Sequence, residues 1–251
     1  MQSTADALAF DRVECPDAAT RIFAVESPRR LWMPRKSRSP QPSGNSNLRG
    51  AVRIIAGSLR GRSIPFLVSE ATRPMKDKTR GAIFNIIGPS LEGYRVFDLF
   101  AGTGILAMES LSRGATSATV VELDHRRAKA IDQAGRTLLL NPRLRVVSAD
   151  AFAWSERWLK GAEATPDGEP WVVFFCPPYP LWDADPAQME RLIQIWAQAA
   201  PAGSVLVAES PQRHVDHNLP SAPWQWESRR YPPANVLFGW HPEAPPSPPA
   251  D

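Results

Sequence analysis

The residues Cys176-Pro177-Pro178-Tyr179 follow the apolar run Trp171 to Phe175 and have the composition of a turn that holds a flat ligand. Proline fixes φ and has no N–H, so the Pro177 carbonyl is available to a ligand amine. Tyr179 can stack on a nucleobase taken out of its helix or loop, which contributes ~1 to 3 kcal/mol per base in single-strand binders. We expect these four residues to be catalytic, because they would hold the amine nitrogen against an electrophile.

A glycine turn, Gly102-Thr103-Gly104, follows an earlier apolar strand and lets backbone approach a ligand closely. With Ala107 the stretch also fits the permissive dinucleotide fingerprint, and Glu122, at the end of the next strand, could hold ribose hydroxyls in either case. Asp98, four residues before the turn, favours a cation, because a carboxylate is unfavourable beside a pyrophosphate. S-adenosylmethionine carries an ammonium and a sulfonium but no phosphate, and is therefore the preferred ligand.

Further candidates lie after the third strand of the predicted sheet. Asp150 and Ala151 follow it, where an adenine edge would be read, although Asp150 could equally cap the helix that begins at residue 151. The predicted cofactor-binding residues are Asp98, Phe100, Ala101, Gly102, Thr103, Gly104, Glu122, Asp150 and Ala151.

Cys176 leaves three alternatives open, because neutral sulfur accepts hydrogen bonds from N–H groups more weakly than a carboxylate or amide oxygen does. The Pro177 carbonyl alone could suffice for catalysis, or the protein could be slow or without turnover. Cys176 could also be a thiolate nucleophile, as in C5-pyrimidine methylation, but those enzymes place the cysteine after the proline.

Alternating strands and helices would position these residues. The predicted strands are 95–99, 117–122, 144–148, 170–175 and 203–209, and the predicted helices are 103–113, 125–140, 151–160 and 185–199. Five such units indicate an α/β fold with a Rossmann-like, mostly parallel sheet and helices on both faces. Strands 224–230 and 236–240 would close it as an antiparallel pair.

A smaller hairpin, 52–56 with 63–68, and a helix, 75–87, precede this fold. The apolar stripe expected for that helix is Met75, Ala82, Ile83, Ile86 and Ile87, with Lys76, Lys78 and Arg80 available to solvent or ligand. The predicted domains are a disordered basic, Pro/Ser-rich extension (1–50), the hairpin and helix (51–90), a catalytic domain (91–241) and a disordered tail (242–251).

Positive charge is concentrated near the N-terminus. The chain has 251 residues and a net charge of +3, yet residues 27–80 contain 13 Lys/Arg and only 2 Asp/Glu. Such a block suits a polyphosphate backbone, whose affinity comes largely from neutralised phosphates; the alternative is a solvated tail.

Other function classes are disfavoured. The sequence has no apolar stretch of membrane-spanning length and no secretory layout, so we expect a cytoplasmic protein with no membrane partner. Cys15 and Cys176 fit neither a disulfide framework nor a metal site, and we expect no metal.

Several further motifs occur in the same order along the chain: Arg53 to Gly57 with Arg60-Gly61, Thr72 to Pro74, Arg80 to Asn85, and Ser110 to Ala115. Together with the two turns they resemble the RsmD family of bacterial small-subunit (16S) ribosomal RNA guanine-N2 methyltransferases, over about residues 51–240. In that family the position of Cys176 usually holds Asp or Asn.

The resemblance implies a class I methyltransferase fold that binds S-adenosylmethionine at Asp98 to Gly104 and Glu122. It also implies transfer of a methyl group to guanine N2 of 16S rRNA or of the assembling small subunit, and we expect a monomer. The residues then expected to contact RNA are Arg53, Arg60, Arg62, Arg73, Lys76, Lys78 and Arg80. The rivals are an RNA-binding homologue without turnover and, less favoured, an NAD(P)-dependent oxidoreductase.

Overall fold

The computed structural model describes residues 49–68, 74–161, 168–214 and 218–242. The two predicted disordered segments, 1–50 and 242–251, lie outside these residues except for Arg49, Gly50 and Pro242. Arg49 and Gly50 begin the first strand, so the hairpin starts three residues earlier than predicted. Within the described part of the chain, no helix combines the length and apolar character that crossing a bilayer requires.

The elements of the structure follow the predicted order, with one addition. They are β1 (Arg49–Arg53), β2 (Ser63–Leu67), α1 (Asp77–Ile87), β3 (Arg95–Asp98), α2 (Ile105–Ser112), β4 (Ser117–Glu122), α3 (His125–Thr137), β5 (Leu144–Ser148), α4 (Ala151–Gly161), β6 (Trp171–Phe175), α5 (Tyr179–Ala184), α6 (Pro186–Ala199), β7 (Val205–Pro211), β8 (Gln225–Tyr231) and β9 (Ala234–Trp240). The short helix α5, which begins at Tyr179, was not predicted from the sequence.

The large sheet has seven strands in the order β5-β4-β3-β6-β7-β9-β8. Strands β5, β4, β3, β6 and β7 are parallel, and β9 pairs antiparallel with both β7 and β8. The predicted fold class is therefore confirmed. The chain runs from β3 outward to β4 and β5 and then returns to β6 on the other side of β3. This reversal makes the carboxyl ends of β3 and β6 the expected ligand crevice.

Every residue of β6 is buried, because the strand is covered on both faces. Val172 and Phe174 pack in one core with side chains of α1, α2 and α3. Trp171, Val173 and Phe175 point to the opposite face and pack with residues of α4, α5 and α6. The two layers hold the carboxyl end of β6, and hence Cys176, in a fixed position.

The N-terminal hairpin, β1 with β2, is attached to this domain through Glu109 of α2. Glu109 is fully buried; its Oε2 accepts a hydrogen bond from the Ile55 amide (2.7 Å) and its Oε1 accepts one from the Ala56 amide (2.9 Å). Arg113 Nη2 lies 2.9 Å from Glu109 Oε1, and Arg80 Nε lies 3.9 Å from Oε2. One carboxylate thus joins the hairpin, α1 and α2.

The prediction that Arg80 is available to solvent or ligand was wrong. Its side chain is fully buried. Nη2 donates to the Arg53 carbonyl (2.6 Å) and to Asp77 Oδ1 (2.9 Å). The buried residues of α1 are Thr79, Arg80, Ile83, Phe84 and Ile87. Of the predicted apolar stripe, Ile86 is partly buried and packs against the core, whereas Ala82 is partly buried and does not belong to that core.

Candidate active site

The glycine turn lies between the carboxyl end of β3 and the start of α2. Gly102 and Gly104 have φ values of 55° and 73°, a region that glycine enters without steric cost. A Cβ at Gly104 would lie 2.8 Å from Ile131 Cγ2, so α3 packs too closely for a larger residue. Thr103 is buried and Ala101 is nearly so. The turn therefore presents backbone rather than side chains at the edge of the sheet.

Asp98, the last residue of β3, is a buried carboxylate without a partner. It is 1% exposed, and no hydrogen bond to either oxygen is found in the described part of the chain. Burial, and secondarily the charge of Glu122, raises the pKa of Asp98 to about 7; the nearby amides of Ala107 and Phe100 oppose this shift without reaching hydrogen-bonding geometry. Leaving a buried carboxylate unpaired is costly, so the site suits a cationic ligand.

Glu122 ends β4 and is held by several donors. Its Oε2 accepts from the Gly102 amide (2.8 Å), and its Oε1 accepts from Arg127 Nε (2.9 Å) and from the Asp124 amide (2.9 Å). The carboxylate therefore has a fixed position directly against the glycine turn. A ribose at this point would share the carboxylate with Arg127.

Asp150 caps α4, since its Oδ1 accepts from the Ala153 amide (2.9 Å). The capping alternative is therefore confirmed, while contact with an adenine stays a prediction. The Asp150 side chain is exposed and Ala151 is buried. The two residues lie at the start of α4, one strand beyond Glu122.

Two apolar residues near this edge were missed by the sequence analysis. Leu123 directly follows Glu122 and is 70% exposed, so its apolar side chain is available to a ligand at this edge. Phe152 forms an edge-to-face pair with Phe100 of the loop after β3, with ring centroids 5.8 Å apart. The signal in the sequence was a leucine immediately after the acid that ends a predicted strand, where a loop residue would be expected to be polar. The leucine side chain and the two phenylalanine rings offer apolar surface to an adenine ring.

The Cys-Pro-Pro-Tyr segment follows β6 at the same edge. Cys176 is partly exposed, Pro177 is buried and Pro178 is exposed. Burial, followed by the charges of Glu209 and Asp98, holds the pKa of the Cys176 thiol well above its usual value. The sulfur is therefore a neutral thiol at physiological pH, which argues against the thiolate nucleophile. The pairing of β3 with β6 places Asp98 opposite Phe174, two residues before Cys176, so the two predicted half-sites lie side by side at the edge of the sheet.

Tyr179 begins α5 and is half-buried. Its Oη donates to Glu209 Oε1 at 3.0 Å, and burial together with this carboxylate raises the pKa of Tyr179. The ring is thereby oriented at the edge of the sheet, one residue after Pro178. Glu209 itself, near the end of β7, was not predicted from the sequence, because it lies inside an apolar strand without a motif.

Five of the predicted RNA-contacting residues are exposed. Arg53, Arg60 and Arg62 belong to the hairpin region, and Lys76 and Lys78 lie at the start of α1. No ion pair to any of the five occurs among residues 49–68, 74–161, 168–214 and 218–242. Arg73 lies outside the described residues. Arg80 does not belong to this basic surface, because it is buried.

The strand order, the two-sided helical cover and the crevice beside Asp98 define a class I S-adenosylmethionine-dependent methyltransferase fold. A solved Escherichia coli structure, "Putative methyltransferase yhhF", matches with a TM-score of 0.62 and 26% identity, covering 77% of this chain and 99% of that one. A family model described as Conserved hypothetical protein 95 matches residues 52–238. The chain belongs to this family, which is the RsmD family of the sequence analysis.

Two relatives carry more specific names. "Ribosomal RNA small subunit methyltransferase D" of Escherichia coli is 29% identical over 193 residues, which cover 77% of this chain and 88% of that protein. "Putative rRNA methyltransferase YlbH" of Bacillus subtilis is 38% identical over 128 residues, covering 51% of this chain and 67% of that protein.

Proposed function

We propose that this protein transfers a methyl group from S-adenosylmethionine to the exocyclic N2 of a guanine in small-subunit ribosomal RNA, acting as a monomer. The observation that carries the proposal is Asp98, a buried and unpartnered carboxylate beneath a glycine turn and close to Cys176. Such a site suits a cationic donor next to a base, whereas a dinucleotide would bring a pyrophosphate to the same carboxylate. We infer the RNA substrate from the names of the two relatives.

The residues of the glycine turn would hold the cofactor. Asp98 would pair with its positive charge, Glu122 would accept from its ribose hydroxyls, and Leu123 and Phe152 would flank its adenine. When bound, S-adenosylmethionine supplies an electrophilic methyl carbon on a sulfonium. Asp150 and Ala151, at the start of α4, would lie beside the adenine.

The base would enter from the side of β6. Tyr179 would stack on it, and the Pro177 carbonyl would accept a hydrogen from its amine. The amine nitrogen then bonds to the methyl carbon, the carbon–sulfur bond breaks with its electron pair left on sulfur, and one amine proton is released. Positioning supplies much of the rate, so no strong base is needed before attack.

Mass mapping of ribosomal RNA nucleosides is the direct test. Small subunits and naked 16S rRNA from a strain lacking the protein are incubated with the purified protein and labelled S-adenosylmethionine. We expect N2-methylguanosine at one position. Cofactor binding without any product on either RNA would support the binding protein without turnover. Saturable NAD(P) binding without S-adenosylmethionine binding would overturn the proposal.

Replacing Cys176 tests whether the thiol limits the rate. We expect Cys176→Asn to raise kcat about 10-fold, because an amide oxygen accepts from N–H better than a neutral thiol does. Cys176→Asp should gain less, since Asp98 and Glu209 already place negative charge at this position. Single-turnover methylation measures kcat, and calorimetry should show unchanged cofactor affinity.

Cys176→Ser is the matched control, because it removes sulfur at nearly constant size. It is expected to raise kcat by less than Cys176→Asn does, within about 3-fold of the native rate, since a hydroxyl is also a donor that a neighbouring acceptor can engage. If Cys176→Asn were slower than the native protein, the thiol would be adapted to a different role.

The basic surface gives a salt-dependent prediction. Lys76→Gln combined with Lys78→Gln should weaken RNA binding and lower the slope of log K against log salt by about 1.5 units, because each lost phosphate contact removes roughly 0.7 to 0.9. Fluorescence anisotropy at several salt concentrations measures this slope. Lys129→Gln with Lys160→Gln removes the same charge from exposed positions on α3 and α4 and should leave the slope nearly unchanged.

A further inference from the structure

Glu209 lies beside the proposed base site, at the carboxyl end of β7. The strand pairing of β6 with β7 puts Phe175 opposite Ala208, so Glu209 lies next to Cys176 at the carboxyl end of both strands. Trp182 Nε1 donates to the Glu209 carbonyl at 2.9 Å and fixes the backbone there. Tyr179 Oη fixes the side chain by donating to Oε1 at 3.0 Å.

The second oxygen of Glu209 is available to a ligand. Among the described residues, Tyr179 is the hydrogen-bond partner found for this carboxylate, and the donor reaches Oε1 only. The side chain is partly exposed, at the edge where Tyr179 and Pro177 would hold the base. An ionised carboxylate only accepts hydrogen bonds, and its two oxygens can accept from neighbouring donors.

The nucleobases differ in what they offer to such a group. The Watson–Crick edge of guanine presents two adjacent donors, N1–H and the N2 amine. At the corresponding positions adenine and cytosine present a ring-nitrogen acceptor beside an amine donor. A carboxylate therefore complements guanine and repels the ring nitrogen of the other two bases. Enzymes that take a base out of its stack read this edge by hydrogen bonds.

We infer that Glu209 is a specificity-determining residue that selects guanine by accepting hydrogen bonds from N1–H and from one N2 hydrogen. The Pro177 carbonyl accepts from the other N2 hydrogen, so the amine is held from both sides. This assignment rests on the proposed methylation of RNA. It also explains how the site orients the amine with a cysteine at position 176, since the anionic acceptor is supplied from the neighbouring strand.

The test compares two bases at the methylated position of the RNA. Guanine has both N1–H and the N2 amine, whereas 2-aminopurine has the amine without N1–H. We expect the native protein to prefer guanine by about 100-fold in kcat/KM, because a site built around a hydrogen bond strongly rejects an analogue lacking the donor. Glu209→Gln should reduce kcat/KM on guanine by a similar factor and bring the preference below about 10-fold.

The controls separate recognition from folding. Glu209→Gln keeps an oxygen for Tyr179, so the melting temperature and the affinity for S-adenosylmethionine should match the native values. Glu156→Gln removes an exposed carboxylate on α4, away from the proposed base site, and should keep the preference for guanine within about 3-fold of the native value. If Glu209→Gln slowed both substrates equally, Glu209 would have a structural role and the inference would fail. If the native protein methylated neither RNA, the proposed function would fail instead.

Discussion

Asp98→Asn is expected to weaken S-adenosylmethionine binding by at least about 100-fold, equivalent to roughly 2.7 kcal/mol. The reason is that Asp98 is a buried carboxylate with no hydrogen-bond partner among the described residues, so a cation that pairs with it gains an interaction that water does not compete for. Isothermal titration calorimetry at pH 8, where the carboxyl is ionised, measures the loss.

Asp150→Asn is the matched control for that measurement. Asp150 is also an aspartate at the carboxyl edge of the sheet, but it is exposed and its Oδ1 caps α4. An asparagine can cap a helix nearly as well and keeps an oxygen that an adenine amine can donate to, and an exposed charge is screened, so the affinity should change less than about 3-fold. Equal losses in the two variants would mean that net charge at this edge, rather than the buried carboxylate, attracts the cofactor.

The same Asp98→Asn substitution should stabilise the protein without cofactor. Because the folded pKa of about 7 lies above the unfolded value, the folded state binds more protons between these values. Its stability therefore falls as pH rises from about 4 to 7. At pH 8 the variant should be more stable by up to about 4 kcal/mol, with a smaller difference at pH 5.

Urea unfolding at the two pH values measures this difference. An excess of S-adenosylmethionine should reduce this stability difference at pH 8, by about 2.7 kcal/mol for a 100-fold ratio of dissociation constants, because it binds the folded native protein more tightly than the variant. A native protein that is more stable than Asp98→Asn at pH 8 without cofactor would contradict an unpaired, buried charge. If Asp98→Asn both weakens cofactor binding and raises the stability of the free protein, the ionised Asp98 carboxylate binds the ligand at a cost to the stability of the fold.

Most of the fold could be predicted from the sequence because local patterns determine it. The run Trp171–Phe175 is apolar at every position, as a strand covered on both faces must be, and the predicted start was one residue early. The predicted bounds of 117–122 and 144–148 agree with β4 and β5. The glycine turn was predictable because its backbone conformation requires the residue type.

Side-chain partners could be predicted less well. Arg80 was predicted to be exposed because it is charged. It lies three, four and seven positions before Ile83, Phe84 and Ile87, however, and this is the spacing of residues on one face of a helix. Its position on the buried face was therefore visible in the pattern, although its partners on the hairpin were not. Glu209 could not be linked to Tyr179, because strand order brings these residues together across 30 positions of sequence.

The basic hairpin is held in place by a charge network that the sequence did not reveal. Arg80 and Arg113 converge on Glu109, and all three side chains are at least nine-tenths buried. The Arg113 guanidinium also lies 4.5 Å from the centre of the Phe84 ring. Since α2 begins directly after the glycine turn, this network joins the surface proposed for RNA to the helix that borders the cofactor.

Glu109→Gln is therefore expected to lower the free energy of unfolding by about 3 to 5 kcal/mol, because it leaves the buried Arg113 guanidinium without its carboxylate. It also removes the longer pair with Arg80, which keeps its contact with Asp77. An amide nitrogen would also replace one acceptor of the Ile55 and Ala56 amides. Urea unfolding measures the loss. Asp132→Asn, which removes an exposed i,i+4 pair with Arg136, is the control and should cost at most about 0.5 kcal/mol. Similar losses in both variants would show that the buried network contributes no more than a surface pair. If the network orients the hairpin, Glu109→Gln should also bind RNA more weakly. The slope of log K against log salt should decrease as well, because that slope reports the number of phosphate contacts.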